Sequence, residues 1–185
     1  MTPSSRAPRR PAVLLAGLAL LATPLLAGCA QSVGVAVAPD AVNPDCARVV
    51  LALPETLGDG LEQQRTTSQA TSAWGTPSDP VTLRCGVEVP GPTTEQCVTM
   101  ETVGGSSIDW LVRADAEPAD GEDASTAAED LATDPGSSDW TFVTYGRDPA
   151  VEVHVPASVV AERSTSFLDA LSVAVSQVEA TRSCL

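Results

Sequence analysis

Four of the chain's five cysteines constrain its fold more than any other feature of the sequence. Cys46, Cys85, Cys97 and Cys184 form an even set, as expected for disulfides in an oxidising compartment. A zinc site with these four ligands would need paired C-x-x-C spacings, and the sequence has none. Four cysteines allow three pairings. We expect Cys85 to pair with Cys97 in a local loop, and Cys46 to pair with Cys184 and so tie the two ends of the domain.

The fifth cysteine, Cys29, follows a segment with the composition of a secretory leader. The segment starts with basic residues, which are Arg6, Arg9 and Arg10, and continues with the apolar residues 13–26. A membrane anchor helix is the alternative, but a span of about 15 apolar residues is shorter than the roughly 20 that a spanning helix needs. Pro11 follows the arginine pair where a twin-arginine leader has a polar residue, so the sequence favours ordinary secretion.

The ending Leu26-Ala27-Gly28-Cys29 is typical of the lipobox of a bacterial lipoprotein. We therefore predict that residues 1–28 are a removable signal peptide and that Cys29 becomes a lipidated first residue. A diacylglyceryl group, with or without a further acyl chain such as palmitate, anchors a protein stably where a single chain does not. Residues 29–43 are small and partly apolar without an amphipathic period, which predicts a flexible tether. The predicted location is the extracytoplasmic side of the cell membrane.

The charge of the chain limits its partners. The sequence has ten arginines, no lysine and 24 acids, and removing the leader with its three arginines leaves a net charge of −17. A surface this acidic disfavours nucleic acid and anionic headgroups. Repulsion from the membrane would hold a tethered domain away from the bilayer, but plain solubility explains the acidity without such a role and is the favoured explanation. We predict no nucleic-acid partner.

Alternating and helical patterns predict one α+β domain over residues 44–185. Asn43-Pro44 is typical of a helix start, and Pro54 ends the short helix, with an irregular segment over 56–73. Period-two alternation predicts a strand at 81–87. Two hairpins are predicted after it, one from 98–103 with 108–112 and one from 140–145 with 150–155. After Pro156, an apolar stripe of Val160, Phe167, Leu168, Leu171, Val175 and Val178 predicts one long helix over 157–182. The expected fold is an antiparallel sheet of about five strands between a short N-terminal and a long C-terminal helix.

Residues 115–139 contain nine acids among glycine, serine, proline and alanine. Such a segment has too few apolar side chains to order itself, so we predict a disordered surface loop. A calcium loop needs acids at alternating positions around a glycine, and Asp120-Gly121-Glu122-Asp123 does not have that pattern.

Several of these segments together resemble a known family. The segments are Ala73-Trp74-Gly75 with Pro77, Leu83-Arg84-Cys85-Gly86-Val87, Asp109-Trp110-Leu111-Val112, and residues 144–156 from Thr144-Tyr145-Gly146-Arg147 to Val155-Pro156. They are similar to an uncharacterised actinobacterial family of secreted proteins and lipoproteins, which is a domain of unknown function. Its members are often encoded near genes for cell-wall precursors, such as D-alanine–D-alanine ligase. The resemblance therefore implies a role in the cell envelope and assigns no activity.

Motifs for catalysis, metals and cofactors are missing from the sequence. His154 is the single histidine, and alternation with Val153 and Val155 favours a solvated strand position for it. No G-x-S-x-G elbow, P-loop lysine or complete dinucleotide fingerprint occurs. Paired carboxylates could hydrolyse glycosidic bonds, but 24 acids make chance pairs unavoidable. The few large aromatic residues, Trp74, Trp110, Trp140 and Tyr145, lie where core anchors are expected.

One charged constellation remains as a candidate site. Arg84, Asp109 and Glu152 alternate away from the apolar face, and Arg147 lies in a turn beside them. On neighbouring strands they would form a patch whose arginines could bind a carboxylate, such as a peptide-stem terminus. A solvated sheet face with internal ion pairs is the simpler alternative.

We therefore expect a non-enzymatic envelope lipoprotein without a cofactor or metal. Its expected partners are the membrane, through the lipid anchor, and an envelope protein or peptidoglycan fragment. The alternative is a cell-wall hydrolase that acts through carboxylates.

Overall fold

The computed structural model describes residues 31–58, 60–102, 107–115 and 135–185. Most of the predicted acidic loop and the whole predicted signal peptide lie outside the described residues. The helices are α1 (Pro44–Leu51), α2 (Ala157–Glu162) and α3 (Ser172–Val175), with 3₁₀ turns at Pro135–Ser137 and Thr165–Leu171. In the part of the chain that the structure describes, no helix has the length and apolarity that crossing a bilayer requires.

The strands form one antiparallel sheet of seven strands in the order β1-β2-β3-β7-β6-β5-β4. They are β1 (Gln63–Gln64), β2 (Thr71–Trp74), β3 (Val81–Val87), β4 (Cys97–Glu101), β5 (Ser107–Ala114), β6 (Trp140–Thr144) and β7 (Ala150–Val155). The five predicted strands and both hairpin pairings are confirmed. The prediction of about five strands was nevertheless too low, because β1 and β2 lie in the segment expected to be irregular.

The side chains of alternate residues build the core on one face of this sheet. Helix α1, the second 3₁₀ turn and α3 contribute the opposite layer of the same core. The sheet contributes buried residues from several strands, which are Trp74, Val81, Leu83, Cys85, Ile108, Trp110, Phe142, Val151, Val153 and Val155. Trp110 and Phe142 meet edge to face with ring centroids 6.4 Å apart. Trp74 and Trp110 are thus core anchors as predicted, whereas Trp140 is only partly buried.

The prediction of one long C-terminal helix over 157–182 is wrong. Helix α2 ends at Glu162, and Arg163 adopts extended backbone with φ −154° and ψ 156°. Ser164 then caps the following 3₁₀ turn by accepting a hydrogen bond from the Ser166 backbone N–H. Serine and threonine side chains compete for backbone groups in this way and interrupt a helix. The apolar residues of the predicted stripe still reach the core, because Leu168, Leu171, Val175 and Val178 are buried.

Residues 31–43 pack on the second face of the sheet, in contrast to the flexible tether predicted over 29–43, of which residues 29 and 30 lie outside the described residues. The Val33 backbone N–H donates to the Arg65 carbonyl at 2.7 Å, and the Thr67 N–H donates to the Val33 carbonyl at 3.0 Å. Farther along, Ala38 and Ala41 pack in a second cluster with Val87, Val143 and Ala150. The tether prediction failed because small apolar residues without a helical period are also suited to lie across a sheet face.

Gly86 allows this segment to cross the sheet closely. Its φ is +90°, and a Cβ placed there would lie 2.4 Å from the Asp40 carbonyl carbon. The Asp40 backbone N–H donates to the Gly86 carbonyl at 2.9 Å. The conformation and the space both require glycine at this position.

The cysteines pair as Cys46–Cys85 and Cys97–Cys184, with Cα atoms 5.5 and 6.1 Å apart. Disulfide bonding of the four is confirmed, but the expected partners were wrong. Cys85 lies on β3 and Cys97 lies on β4, and the sheet order places β7, β6 and β5 between them. Four interstrand spacings amount to about 19 Å, too far for a disulfide. Cys85 and Cys97 are therefore close in sequence but far apart in the fold.

The C-terminal tail is held by the turn between β6 and β7. Thr181 donates to the Gly146 carbonyl from its backbone N–H at 2.7 Å and from its hydroxyl at 2.9 Å. Gly146 has φ +72°, and a Cβ there would lie 2.0 Å from the Arg182 carbonyl oxygen. The tail continues to Cys184 and its disulfide with β4.

Candidate functional site

The predicted charged patch divides into two separate arrangements, of which the first joins β3 to β7. Arg84 and Glu152 are register partners across these strands. The Arg84 Nε atom donates to Glu152 Oε1 at 2.6 Å, and Nη2 donates to Oε2 at 3.2 Å. The exposed fractions of the side chains are 34% and 18%. This bidentate pair matches the internal ion pair that the simpler interpretation of the patch expected.

The second arrangement holds the tail against β5. Asp109 is buried, and its carboxylate accepts hydrogen bonds from the Thr99 hydroxyl at 2.6 Å and the Cys184 backbone N–H at 2.8 Å. Arg147 is also buried and donates to the Val178 carbonyl and, at 3.1 Å, to the Ser107 carbonyl. Burial lowers the pKa of Arg147 from its usual value, while the Asp109 charge opposes that change. Asp109 and Arg147 thus secure the C-terminal tail instead of facing solvent.

These two arrangements predict unequal stability effects. We expect Arg147→Met to lower the free energy of unfolding by about 2–3 kcal/mol, because the buried Val178 carbonyl and the partly buried Ser107 carbonyl lose their donor. Arg84→Ala breaks a partly exposed ion pair and should cost less than about 1 kcal/mol. Urea unfolding of both variants measures the difference. Equal losses would contradict the structural role of Arg147.

His154 lies on the same face as Arg84, beside two acids from the ends of the predicted acidic loop. Its Nε2 atom is 3.4 Å from Asp139 Oδ2 and 3.7 Å from Asp115 Oδ2, and 37% of the side chain is exposed. Asp139 also accepts the Ala157 backbone N–H at 2.8 Å, and Asp115 accepts the Thr141 hydroxyl at 2.7 Å. Among the described residues, no group of three or more histidines, cysteines and acids is arranged to hold a metal ion. His154, predicted at a solvated strand position, is thus partly exposed beside two acids that alternation alone did not reveal.

An apolar groove lies between the β4 edge of the sheet and α2. Its volume is about 540 Å³, and the residues after α2 form its second wall. The apolar lining comes from four elements and consists of Val98, Met100, Val112, Trp140, Phe142 and Val160. We call this the β4 groove. Sequence patterns did not indicate this groove, because a continuous helix over 157–182 would have been expected to cover the sheet. The groove depends on the break in that helix at Arg163.

The backbone of β4 adds directional hydrogen-bonding groups to the rim of this groove. The Val112 N–H donates to the Gln96 carbonyl at 2.9 Å, so Gln96, Val98 and Met100 direct their backbone groups toward β5. In an antiparallel strand the intervening residues point the other way. Thr99 and Glu101 therefore direct their N–H and C=O groups outward from the last strand of the sheet among the described residues.

A second, more polar groove lies on the opposite face and contains the Arg84–Glu152 pair. It has a volume of about 640 Å³ and is also lined by Val37, Arg113 and residues 87–91. Arg113 donates from Nε to Glu95 Oε2 at 2.6 Å and from Nη2 to Oε1 at 3.2 Å. This hydrogen bonding lowers the pKa of Glu95 and raises that of Arg113. Each arginine in this groove is thus engaged with a glutamate.

Comparison with known proteins identifies the family and no function. A family model described as "Protein of unknown function (DUF3515)" matches residues 11–184, nearly the whole chain. The chain therefore belongs to this family, and the resemblance to a family of unknown function is confirmed. Neither the curated proteins nor the solved structures include a match.

Proposed function

We propose that this member of the DUF3515 family is a lipoprotein, anchored through Cys29 at the outer face of the cytoplasmic membrane, that binds another envelope component without catalysis. Two features support export, the leader ending in Leu26-Ala27-Gly28-Cys29 and the pairing of all four remaining cysteines. Disulfides persist in extracytoplasmic compartments and are rare in reducing ones.

The β4 groove is the single observation that carries the binding role. It combines apolar side chains, including those of Val98 and Met100, with the outward backbone N–H and C=O groups of Thr99 and Glu101 on the same strand. Extended peptides bind other proteins at such places, where main-chain hydrogen bonds supply affinity and alternate side chains enter pockets. The chemistry therefore favours a polypeptide segment in extended conformation, with apolar side chains at alternate positions, as the ligand.

The charges at and near the groove favour one kind of peptide ligand over another. The groove is lined by one acid, Glu162, and one base, Arg163, while Glu101 is exposed on β4 and the chain has a formal charge of −14 before processing. Complementary charges accelerate association and exclude like-charged partners. A segment that carries basic residues beside its apolar ones fits this surface better than an acidic one.

Site-specific crosslinking in the native envelope tests this role. A photoreactive residue in place of Val98 should crosslink the full-length protein to an extended segment of one envelope polypeptide. The matched control replaces Val173, an exposed valine on α3 that does not line the groove. Glu101→Pro should reduce the Val98 adduct several-fold because it removes an outward N–H, whereas Glu101→Ala keeps that donor and the adduct.

Equal adducts from Val98 and Val173 would contradict binding in the groove. The hydrolase alternative has its own measurement, which is incubation of the protein with peptidoglycan fragments. Turnover that disappears when one acid is replaced by its amide would replace the binding role with that alternative.

A further inference from the structure

The chain leaves little distance between Cys29 and the folded domain. Val33 is fixed by backbone hydrogen bonds to Arg65 and Thr67, and the Ser68 hydroxyl donates to the Val35 carbonyl at 2.6 Å. Four residues of chain span at most about 14 Å. A lipid on Cys29 would therefore keep the end of the domain around Val33 close to the bilayer surface.

This end of the domain is less acidic than the rest of the chain. Residues 63–78 contain no acid and one base, Arg65. Residues 31–53 contain two acids and one base, and one of these acids, Asp45, forms an ion pair with Arg48. The linking residues 54–62 add three acids, so residues 31–78 have a net charge of −3, while the mature chain would have a net charge of −17. Repulsion from anionic headgroups is consequently weaker at this end than over the rest of the domain.

Exposed apolar side chains occur at the same end. Val42 and Leu51 are 78% and 87% exposed, and both line an open depression with Ala47, Gln69 and Ala70. Gln69 directly follows Ser68, which bonds the segment leading to Val33. Exposed aliphatic side chains next to a lipid anchor add buried apolar area when they enter the boundary between headgroups and acyl chains.

We propose that the anchored domain docks on the outer leaflet through this surface, with Val42 and Leu51 inserted among the lipids. We call it the membrane-facing surface, and it rests on the proposed lipidation of Cys29. Bonds from Asp40 to Gly86 and from Cys46 to Cys85 join this surface to β3, and the β4 edge lies four strand spacings farther along the sheet, about 19 Å. Docking would thus direct the β4 groove away from the membrane, toward the partners proposed above.

Fluorescence quenching in vesicles tests the docking. The full-length lipidated protein, with one added cysteine carrying an environment-sensitive dye at Leu51, Gln69 or Glu101, is reconstituted into phosphatidylcholine–phosphatidylglycerol vesicles that contain spin-labelled lipid. We expect several-fold stronger quenching at Leu51 and Gln69 than at Glu101. Val42→Asp should remove this contrast at Gln69, whereas Val173→Asp, the matched change of an exposed valine, should keep it.

A flexible glycine–serine insert between Ser32 and Val33 lengthens the chain between the lipid and the domain. It therefore distinguishes affinity of the surface for lipid from closeness imposed by a short connection. Quenching at Leu51 that survives the insert supports a surface with its own affinity for lipid. Equal quenching at Leu51 and Glu101, with or without the insert, would overturn the docking while the protein still sediments with the vesicles. A protein without lipid at Cys29 by mass spectrometry would overturn both the anchor and the docking.

Discussion

Replacing Cys29 by alanine is expected to transfer nearly all of the protein from the membrane fraction to the medium, or to leave it as an unprocessed precursor. Alanine has no thiol, so the lipid thioether cannot form. Fractionation with immunoblotting and intact-mass measurement distinguishes released, processed and precursor forms.

Cys97→Ala combined with Cys184→Ala provides the matched control, because it removes a disulfide and leaves Cys29 in place. This variant should stay in the membrane fraction with lipid attached. A processed Cys29→Ala protein that stays on the membrane would contradict lipid anchoring. The membrane-facing surface would then have to retain the protein unaided.

Loss of the Cys97–Cys184 disulfide should have the largest effect on stability. The bond closes a loop with a sequence separation of 87 residues. The chain-entropy relation assigns such a loop about 4.6 kcal/mol, and the double alanine variant leaves no free thiol to exchange. Urea unfolding should show a loss of this order, because the tail contacts at Gly146 and Asp109 then lack their covalent closure.

The Cys46–Cys85 bond supplies an internal comparison. Its sequence separation of 39 residues predicts about 3.9 kcal/mol for the corresponding double variant. The loss should therefore be slightly smaller than for Cys97–Cys184. A Cys97→Ala/Cys184→Ala protein as stable as the parent chain would show that hydrogen bonds alone hold the tail.

The strands with clear alternation could be predicted from the sequence, since one face of each is buried. Val151, Val153 and Val155 are fully buried while Glu152 and His154 are not, and this contrast is visible in the residue types. Strand β2 has no such contrast because all four of its residues are buried, including Thr71 and Ser72. Polar residues that are buried on both faces resemble a loop in sequence.

Contacts between segments that are distant in the chain could not be predicted from the sequence. The disulfide partners depend on the order of strands, and short separation favoured Cys85 with Cys97 although three strands lie between theirs. The prediction of a single charged patch was wrong for a related reason. Alternation correctly placed Arg84 and Glu152 on one face, but it could not show that the C-terminal tail reaches Asp109 or that Arg147 turns inward beneath Val178.

The position of Cys184 has a consequence for export. For a chain that crosses the membrane N-terminus first, as we propose, Cys46 and Cys85 emerge early and can oxidise while translocation continues. Cys184 follows every strand and helix that the structure describes, so under this proposal its bond to Cys97 can form only after all seven described strands have emerged. Oxidation of this pair would therefore come later in export than oxidation of Cys46 with Cys85.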